Sequence, residues 1–156
     1  MEVETTRDIA RQFLRHRSFS FQEFSQRYAD PSAMDTTFVL REARLQDTKN
    51  RQNSISVEDE RLSAEWRMRQ QDIIDKAQEH YNWAISNGIA KEQARSILPE
   101  GNTVSRLYAN GTIRSWIHYI ELRSGTGTQK EHMELARAIA VAITDIFPRT
   151  TQFVEQ

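Results

Sequence analysis

Apolar side chains recur at helical spacing in several stretches of the chain, separated by polar segments. The longest pattern follows a predicted cap formed by Ser56 and Asp59 and ends at the Asn87–Gly88 pair, which is typical of a helix C-terminus. Its members step by three and four: Leu62, Trp66, Gln70, Ile73, Ala77, Tyr81 and Ala84. We therefore expect one long helix, whose aromatic side chains, with Trp83, pack in the core or against another subunit.

Shorter helices are predicted on either side of the long one. The first follows a strand at Met1–Glu4, begins at a capping box of Thr5 and Asp8, and stops near Arg15. Three more are expected further on: Lys91–Leu98; a helix carrying Ile113, Trp116, Ile117 and Ile120; and a helix with Leu135, Ile139, Ala142 and Ile146 between a Thr128–Glu131 capping box and Pro148.

Little of the chain has the alternation of a strand. Thr37–Glu42 is predicted as a strand with Phe38 and Leu40 on one face, and Gly101–Gly111 as irregular or extended. Gln46–Ser54 has no apolar residue and is predicted to be a loop. We expect a single α+β domain over residues 1–156, mostly helical with a small sheet.

Composition excludes several classes of function. The 156 residues suit one domain, and a net charge of -1 excludes a basic field over the whole protein for nucleic acid. The absence of cysteine excludes disulfides, thiolate catalysis and thiolate metal sites, and no His, Asp or Glu cluster has metal-ligand spacing. No apolar run reaches the about 18 residues of a membrane span, and the N-terminus does not resemble a signal peptide. A cytoplasmic protein is the expectation.

The basic residues are unevenly distributed. Of 21 basic residues 17 are arginine, and the segment Arg7–Arg27 has five arginines against Asp8 and Glu23, a net charge of +3. Like charges this close need counter-charge, which a bound phosphate or solvation supplies. Composition alone leaves both explanations open.

The hydrogen-bonding groups of this segment suit a nucleotide. Gln12 and Arg15 are three residues apart and share a helix face, and the Arg15-His16-Arg17 triplet lies where that helix is predicted to end. Guanidinium, amide and hydroxyl groups are the donors that a phosphate and a pyrimidine edge require. RNA or DNA binding through the same segment has less support, because no aromatic platform motif accompanies it.

Three separated blocks carry a resemblance to a known family. Arg15-His16-Arg17, followed after seven residues by Ser25, matches the signature of the flavin-dependent thymidylate synthases, and ARQFLRHRSFSFQEFSQRY resembles that family's signature helix and loop. QARSILP resembles its helix with a substrate arginine, and NGTIRSWIHYIELR, with Gln129 and Glu131 after it, resembles its flavin and substrate segment. The resemblance extends over nearly the whole chain.

The resemblance implies an enzyme that makes dTMP from dUMP. Methylenetetrahydrofolate would donate the carbon, and FAD, reduced by NADPH, would donate the hydride. Such enzymes are homotetramers with active sites between subunits. Family members begin about sixty residues earlier, with strands and a flavin-binding motif, so we expect an N-terminal part to be missing here. The alternative is a catalytically inactive fragment or an accessory nucleotide-binding subunit of the same fold.

The resemblance also assigns site residues. The predicted dUMP ligands are Gln12, Arg15, Glu23, Ser25, Gln26, Arg27, Arg95 and Arg123. The predicted FAD ligands are Arg15, His16, Arg17, Glu23, Thr112, Ile113, Arg114 and His118. Arg27 and Arg95 suit the phosphate, and a fixed cation at Arg123 beside the uracil would activate C5. Ser25 is assigned to binding, because no base stands beside it to make it a nucleophile.

Several other residues are expected to be structural. Trp116 is expected in the core, and His80 and His132 at the surface, because neither histidine has a partner at ligand spacing. The Gly125–Gly127 loop is expected to connect two helices. Arginines on the polar flank of the long helix are expected to pair with Glu65 or Asp72: Arg61, Arg67 and Arg69.

Overall fold

The computed structural model of the protein describes residues 1–26 and 37–151, and the predicted class, mostly helical with a small sheet, is confirmed. The strands are β1 (Glu2–Thr6), β2 (Ser20–Glu23), β3 (Arg44–Gln46), β4 (Ser54–Ser56) and β5 (Val104–Asn110). The helices are α1 (Arg7–Phe13), α2 (Glu60–Ser86), α3 (Lys91–Ala94), α4 (Ile113–Arg123) and α5 (Lys130–Ile146), with 3-10 turns at Arg95–Ile97 and Pro148–Thr150.

A three-stranded antiparallel sheet in the order β1-β5-β2 organises the fold. Strand β5 is central, with Thr6 of β1 opposite Val104 and Glu23 of β2 opposite Leu107. The segment expected to be irregular or extended is thus the middle strand, and β2 forms inside the stretch expected to be helix and loop. Both strands depend on partners far away in the chain, which a local pattern does not show.

Helices α1, α4 and α5 cover one core with the sheet. Phe13 is fully buried, with its ring centroid 4.9 Å from Tyr119 and 5.0 Å from Phe21. Trp116 is 4% exposed, as predicted for a core residue. The buried members of this core are Val3, Ala10, Phe13, Phe19, Leu107, Ala109, Trp116, Tyr119, Ile120, Ala136, Ile139 and Ile143.

The long helix α2 matches its predicted length but not all of its predicted stripe. Its second half is buried at Ala77, Tyr81 and Ala84, where it packs on α3. Near its middle Ile74 is buried, and Ile73, expected in the stripe, is 54% exposed. The helix ends as predicted at Asn87, followed by Gly88 at a φ of 76°, in the left-handed region that glycine adopts without strain.

The predicted capping boxes are wrong in detail. Helix α1 begins after Thr6, not Thr5, and the Thr6 hydroxyl donates to the Asp8 carboxylate instead of accepting from a backbone N–H. Asp59 caps α2 by itself, accepting from the backbone N–H of Arg61 at 2.9 Å and of Leu62 at 3.1 Å. An aspartate at the N-cap satisfies these orphan donors directly, so Ser56 is not needed.

Helix α5 begins after Gln129, whose side chain makes no capping hydrogen bond. The predicted box of Thr128 and Glu131 does not form, because the N-cap residue is Gln129 and not Thr128. The Glu131 carboxylate binds Arg41 and Arg44 as well as its own backbone N–H.

The region between the sheet strands and α2 differs from expectation. Thr37–Glu42 is not a strand: an isolated bridge joins Phe38 to Thr103, and the Val39 N–H donates to the Asn102 carbonyl at 2.9 Å. The polar loop predicted over Gln46–Ser54 is present between these two residues. Gln46 and Ser54 themselves pair in the antiparallel β3–β4 hairpin. None of the described helices combines the length and apolar character that crossing a bilayer requires.

Candidate functional site

The ends of α1 and α4 meet at a hydrogen bond between two predicted site residues. Arg123, the last residue of α4, donates from Nε to His16 Nε2 at 3.0 Å. His16 is therefore neutral, with its proton on Nδ1. Burial, Arg123 and His118 lower the pKa of His16, in that order. Over residues 1–26 and 37–151 this is the one hydrogen bond of the Arg123 guanidinium, which leaves both terminal nitrogens for a ligand.

Aromatic rings surround this contact. The His16 ring stands edge-on to Tyr119, with centroids 4.9 Å apart, and lies 6.3 Å from His132. Tyr119 is fully buried, and its hydroxyl has no hydrogen-bond partner in the described part of the chain. Burial, opposed by the nearby Arg123, raises the pKa of Tyr119.

His132 is buried, so the prediction that it lies at the surface is wrong. It is 0% exposed, because the buried face of α5 consists of His132, Ala136, Ile139 and Ile143, offset by one residue from part of the predicted stripe. Burial, Arg123 and His16 lower its pKa to about 4. The steps of four, three and four from His132 are the sequence signal that was missed. His80 is exposed, as predicted.

Gln12 connects His132 to a cluster of charged side chains around Glu131. Gln12 Oε1 lies 3.2 Å from His132 Nδ1, and Gln12 Nε2 donates to Gln129 Oε1 at 2.8 Å. Gln129 Nε2 in turn donates to Glu131 Oε2 at 3.0 Å. Gln12 as a residue is half-buried.

Glu131 anchors this cluster. Arg41 Nη1 lies 3.1 Å from Glu131 Oε1, and Arg44 donates to the same oxygen. Burial raises the pKa of Glu131, but its polar contacts outweigh this effect and lower the pKa to about 2. These contacts are the hydrogen bond from Arg44, the backbone N–H of Glu131, the charge of Arg41 and the hydrogen bond from Gln129. Arg41 also pairs with Asp8 at 2.9 Å, so the cluster joins α1, the hairpin and α5.

The arginine-rich segment is divided by the fold. Arg7 lies 3.5 Å from Glu23, and Arg11 lies 2.6 Å from Glu100. Arg15 and Arg17 are exposed and make no ion pair within the two described ranges. The first two arginines thus have protein counter-charge, and the positive charge concentrates at the triplet.

The end of β2 carries the remaining predicted residues of the signature. Ser105 Oγ donates to Glu23 Oε1 at 2.8 Å, which fixes Glu23 between Ser105 and Arg7. Ser25 is half-buried, and Gln26 is 3% exposed with its Nε2 unpartnered among the described residues. A buried, unpartnered amide beside the strand end is a donor for a ligand. Arg27 lies outside the described residues.

The first turns of α4 present the predicted flavin residues. Thr112 caps the helix by accepting the Ser115 N–H at 3.2 Å, and half-buried Ile113 follows it. Arg114 and His118, four residues apart, are both exposed, and Arg114 has no ion pair to any described residue. His118 acts electrostatically on His16, so this face of α4 borders the site.

Arg95 lies in the 3-10 turn after α3 and is half-buried. Among the described residues, no hydrogen bond or ion pair joins its side chain to another predicted dUMP ligand.

The donor set fits a dinucleotide cofactor. Arg15, Arg17 and Arg114 are exposed guanidiniums without protein counter-charge in the described ranges, and a diphosphate requires such cations. The residues that would hold FAD are thus present in a suitable chemical form. In the described part of the chain, no three His, Cys, Asp or Glu side chains are grouped to hold a metal ion.

A separate cavity of about 840 Å³ lies between the β3–β4 hairpin, the start of α2 and the loop after α4. Gly125 and Gly127 line it, in the connection between two helices that the sequence predicted. Gln129 lies in its wall and is also hydrogen-bonded to Gln12. None of the described predicted ligands lines this cavity.

The fold is that of known nucleotide methylases. The structure of a UMP/dUMP methylase, PolB from Streptomyces cacaoi, bound with 5-Br dUMP, superposes with a TM-score of 0.78 at 25% identity, covering 99% of this chain and 72% of that one. The same protein bound with 5-Br UMP gives a TM-score of 0.78 at 23% identity, covering 97% and 73%. The superposition at 23% identity shows that the two chains share a fold.

A family model described as "Thymidylate synthase complementing protein" matches residues 1–149. The chain belongs to this family, that of the flavin-dependent thymidylate synthases. A protein of Synechocystis sp. named "Flavin-dependent thymidylate synthase" is 48% identical over 155 residues, 99% of this chain and 70% of that protein. One of Paramecium bursaria Chlorella virus 1, named "Probable flavin-dependent thymidylate synthase", is 51% identical over 95% of this chain and 67% of its own length. The family resemblance seen in the sequence is confirmed.

Proposed function

We propose that the protein methylates dUMP to dTMP, with methylenetetrahydrofolate as the carbon donor and FAD, reduced by NADPH, as the hydride source. The observation that carries this proposal is the Arg123–His16 hydrogen bond, in a chain of the flavin-dependent thymidylate synthase family. It fixes a guanidinium by its Nε and leaves the two terminal nitrogens for a planar acceptor.

Arg123 is the residue to which we assign electrostatic activation of the substrate. A guanidinium beside the carbonyl edge of uracil stabilises negative charge at N3 and the carbonyl oxygens, which makes C5 a better nucleophile toward the one-carbon unit. His16 stays neutral beside it, so no second positive charge competes for the same edge. The new bond from C5 to the one-carbon unit is balanced by loss of the C5 proton and of the one-carbon unit's bond to tetrahydrofolate.

The other dUMP contacts follow from chemistry. The half-buried amide of Gln12 faces the pyrimidine edge, and Ser25 and Gln26 donate to the nucleotide. Arg27 and Arg95 clamp the dianionic phosphate, with Arg95 supplied by a neighbouring subunit. We propose a homotetramer with active sites between subunits, which is what the resemblance to the flavin-dependent thymidylate synthases implies.

The flavin residues are assigned to the triplet after α1, to Glu23 of β2 and to the first turns of α4. Arg15, Arg17 and Arg114 would neutralise the diphosphate. The side chains that would border the rest of the cofactor are His16, Glu23, Thr112, Ile113 and His118. FAD supplies the hydride that completes the methyl group, and the protein supplies position and charge.

Tritium release from dUMP labelled at C5 tests the proposal, because methylation must expel that hydrogen. We expect release that requires methylenetetrahydrofolate and NADPH, from a protein with a flavin absorption band at about 450 nm. Arg123→Lys should lower the rate by about 100-fold, since a lysine nitrogen cannot bond His16 and also present a planar fork. Arg137→Lys is the matched control, an exposed arginine on α5.

Two results separate the alternatives. Release that is unchanged in Arg123→Lys would refute the role of the Arg123 fork. A colourless protein that binds dUMP, ignores added FAD and releases no tritium would show the accessory or inactive form of the fold.

A further inference from the structure

Four side chains form a hydrogen-bonded chain whose direction is fixed at one end. Glu131 is held by Arg41 and Arg44, so its carboxylate is ionised and only accepts. Gln129 must therefore present Nε2 to Glu131, at 3.0 Å, and keep its Oε1 for Gln12. The donors and acceptors further along the chain follow from this end.

The same logic orients the other two groups. Gln12 must present Nε2 to the Gln129 oxygen, at 2.8 Å, which turns its Oε1 toward His132 Nδ1 at 3.2 Å. An amide oxygen only accepts, so the proton of neutral His132 resides on Nδ1. His132 is fully buried, and no solvent competes for this bond.

Rotating the Gln12 amide by half a turn would leave an unsatisfied group at both ends. Its Oε1 would face the Gln129 oxygen, and its NH2 group would face His132 Nδ1, which can accept only if the ring proton moves to Nε2. His132 Nε2 is buried without a partner among the described residues, so that tautomer would leave a buried N–H unpaired. Gln129 cannot compensate by rotating, because its own oxygen would then face the Glu131 carboxylate. Two unsatisfied contacts beside a buried histidine make the flipped amide unfavourable.

We propose that Glu131, Gln129 and His132 are positioning residues that lock the Gln12 amide in one orientation, so that the site accepts uracil and rejects cytosine. This inference rests on the proposed function, in which Gln12 faces the pyrimidine edge. Uracil offers N3–H as a donor and O4 as an acceptor, and cytosine reverses both. A free glutamine rotates to suit either base, whereas a locked one suits a single pattern.

The test measures the affinities of the full 156-residue chain for dUMP and for dCMP by calorimetry, with dCMP read by competition against dUMP. Two variants unlock the amide, His132→Leu and Gln129→Leu. His132→Asn restores a donor near the Nδ1 position, and His80→Leu is the matched control at an exposed histidine. Circular dichroism and thermal midpoints identify the folded variants, and Gln129→Leu, at a half-buried site, provides the result if His132→Leu does not fold.

We expect the preference for dUMP over dCMP to fall by about tenfold in both unlocked variants, the value of one discriminating hydrogen bond. His132→Asn and His80→Leu should keep the wild-type preference. A loss of packing alone would weaken both nucleotides equally and leave their ratio unchanged.

The outcomes distinguish the two proposals. An unchanged ratio in the folded unlocked variants, or an Asn variant as impaired as the Leu variant, overturns the lock while dUMP binding stands. Wild-type protein that binds no dUMP overturns the proposed function itself, and the lock with it.

Discussion

Replacing Gly111 by alanine tests how tightly the connection between β5 and α4 packs against Phe19. Gly111 stands between β5 and α4, directly before Thr112, and a Cβ built there would lie 2.4 Å and 2.6 Å from two carbons of the Phe19 ring. Carbon atoms in contact normally lie about 3.5–4.0 Å apart, so the ring would have to retreat by about 1 Å.

Phe19 has no easy path away from the new methyl group. Its ring centroid lies 4.4 Å from Trp116 and 6.0 Å from Phe13, and the residue is 9% exposed. Overpacking of this kind costs about 1–3 kcal/mol. For a domain of this size each kcal/mol corresponds to about 2–4 °C, so the thermal midpoint should fall by about 2–12 °C.

The assay is thermal and urea unfolding of Gly111→Ala beside Gly125→Ala, whose Cβ meets no atom within 4 Å. Combining Gly111→Ala with Phe19→Leu frees the space, so the double variant should lose less than the sum of the single losses. Equal midpoints for the two alanine variants, or strictly additive losses in the double variant, would refute the reasoning.

Two further predictions concern buried titratable groups. Folding lowers the pKa of His132 from 6.5 to about 4, so the unfolded chain binds more protons between these pH values. The contribution of neutral His132 to the free energy of unfolding is therefore complete above pH 6.5 and is lost as the pH falls toward 4. Urea unfolding at pH 7 and pH 5 should show a loss of about 2 kcal/mol from this group in the wild type that His132→Asn lacks, and equal losses would contradict the prediction. Tyr119→Phe should be neutral or stabilising in the thermal midpoint, because the buried hydroxyl has no partner in the described ranges; destabilisation by more than about 1 kcal/mol would show that it has one.

The helices were predictable from sequence because their signals are local. Spacing of apolar residues located α2, α4 and α5, and the Asn87–Gly88 pair marked the end of α2 correctly. The signature triplet directed attention to the end of α1 where Arg123 meets His16. The helix predictions needed only residues that are close together in the sequence, and the prediction at the triplet needed the family resemblance.

Strands and buried polar residues were harder because their causes are distant in the sequence. Glu23 ends a strand that pairs with β5, and its hydrogen-bond partner Ser105 is 82 positions away. His132 looked like a surface residue because a polar histidine adds nothing to an apolar pattern, although Ala136, Ile139 and Ile143 follow it at helical spacing. The packing of α5 against α4 and α1 decides which of two overlapping stripes is buried.

The contacts of Glu131 with Arg41, Arg44 and Gln129 differ from the predicted capping box and also orient the side chains that reach Gln12. Four consecutive residues suggested a capping box in which Glu131 serves its own helix. The carboxylate instead binds Arg44, which is 87 positions away, and this leaves its second oxygen to orient Gln129. A carboxylate held by two arginines stays ionised and only accepts, which fixes the direction of the hydrogen bonds that reach Gln12. The departure from the local rule is therefore the same event that gives the candidate site a single amide orientation.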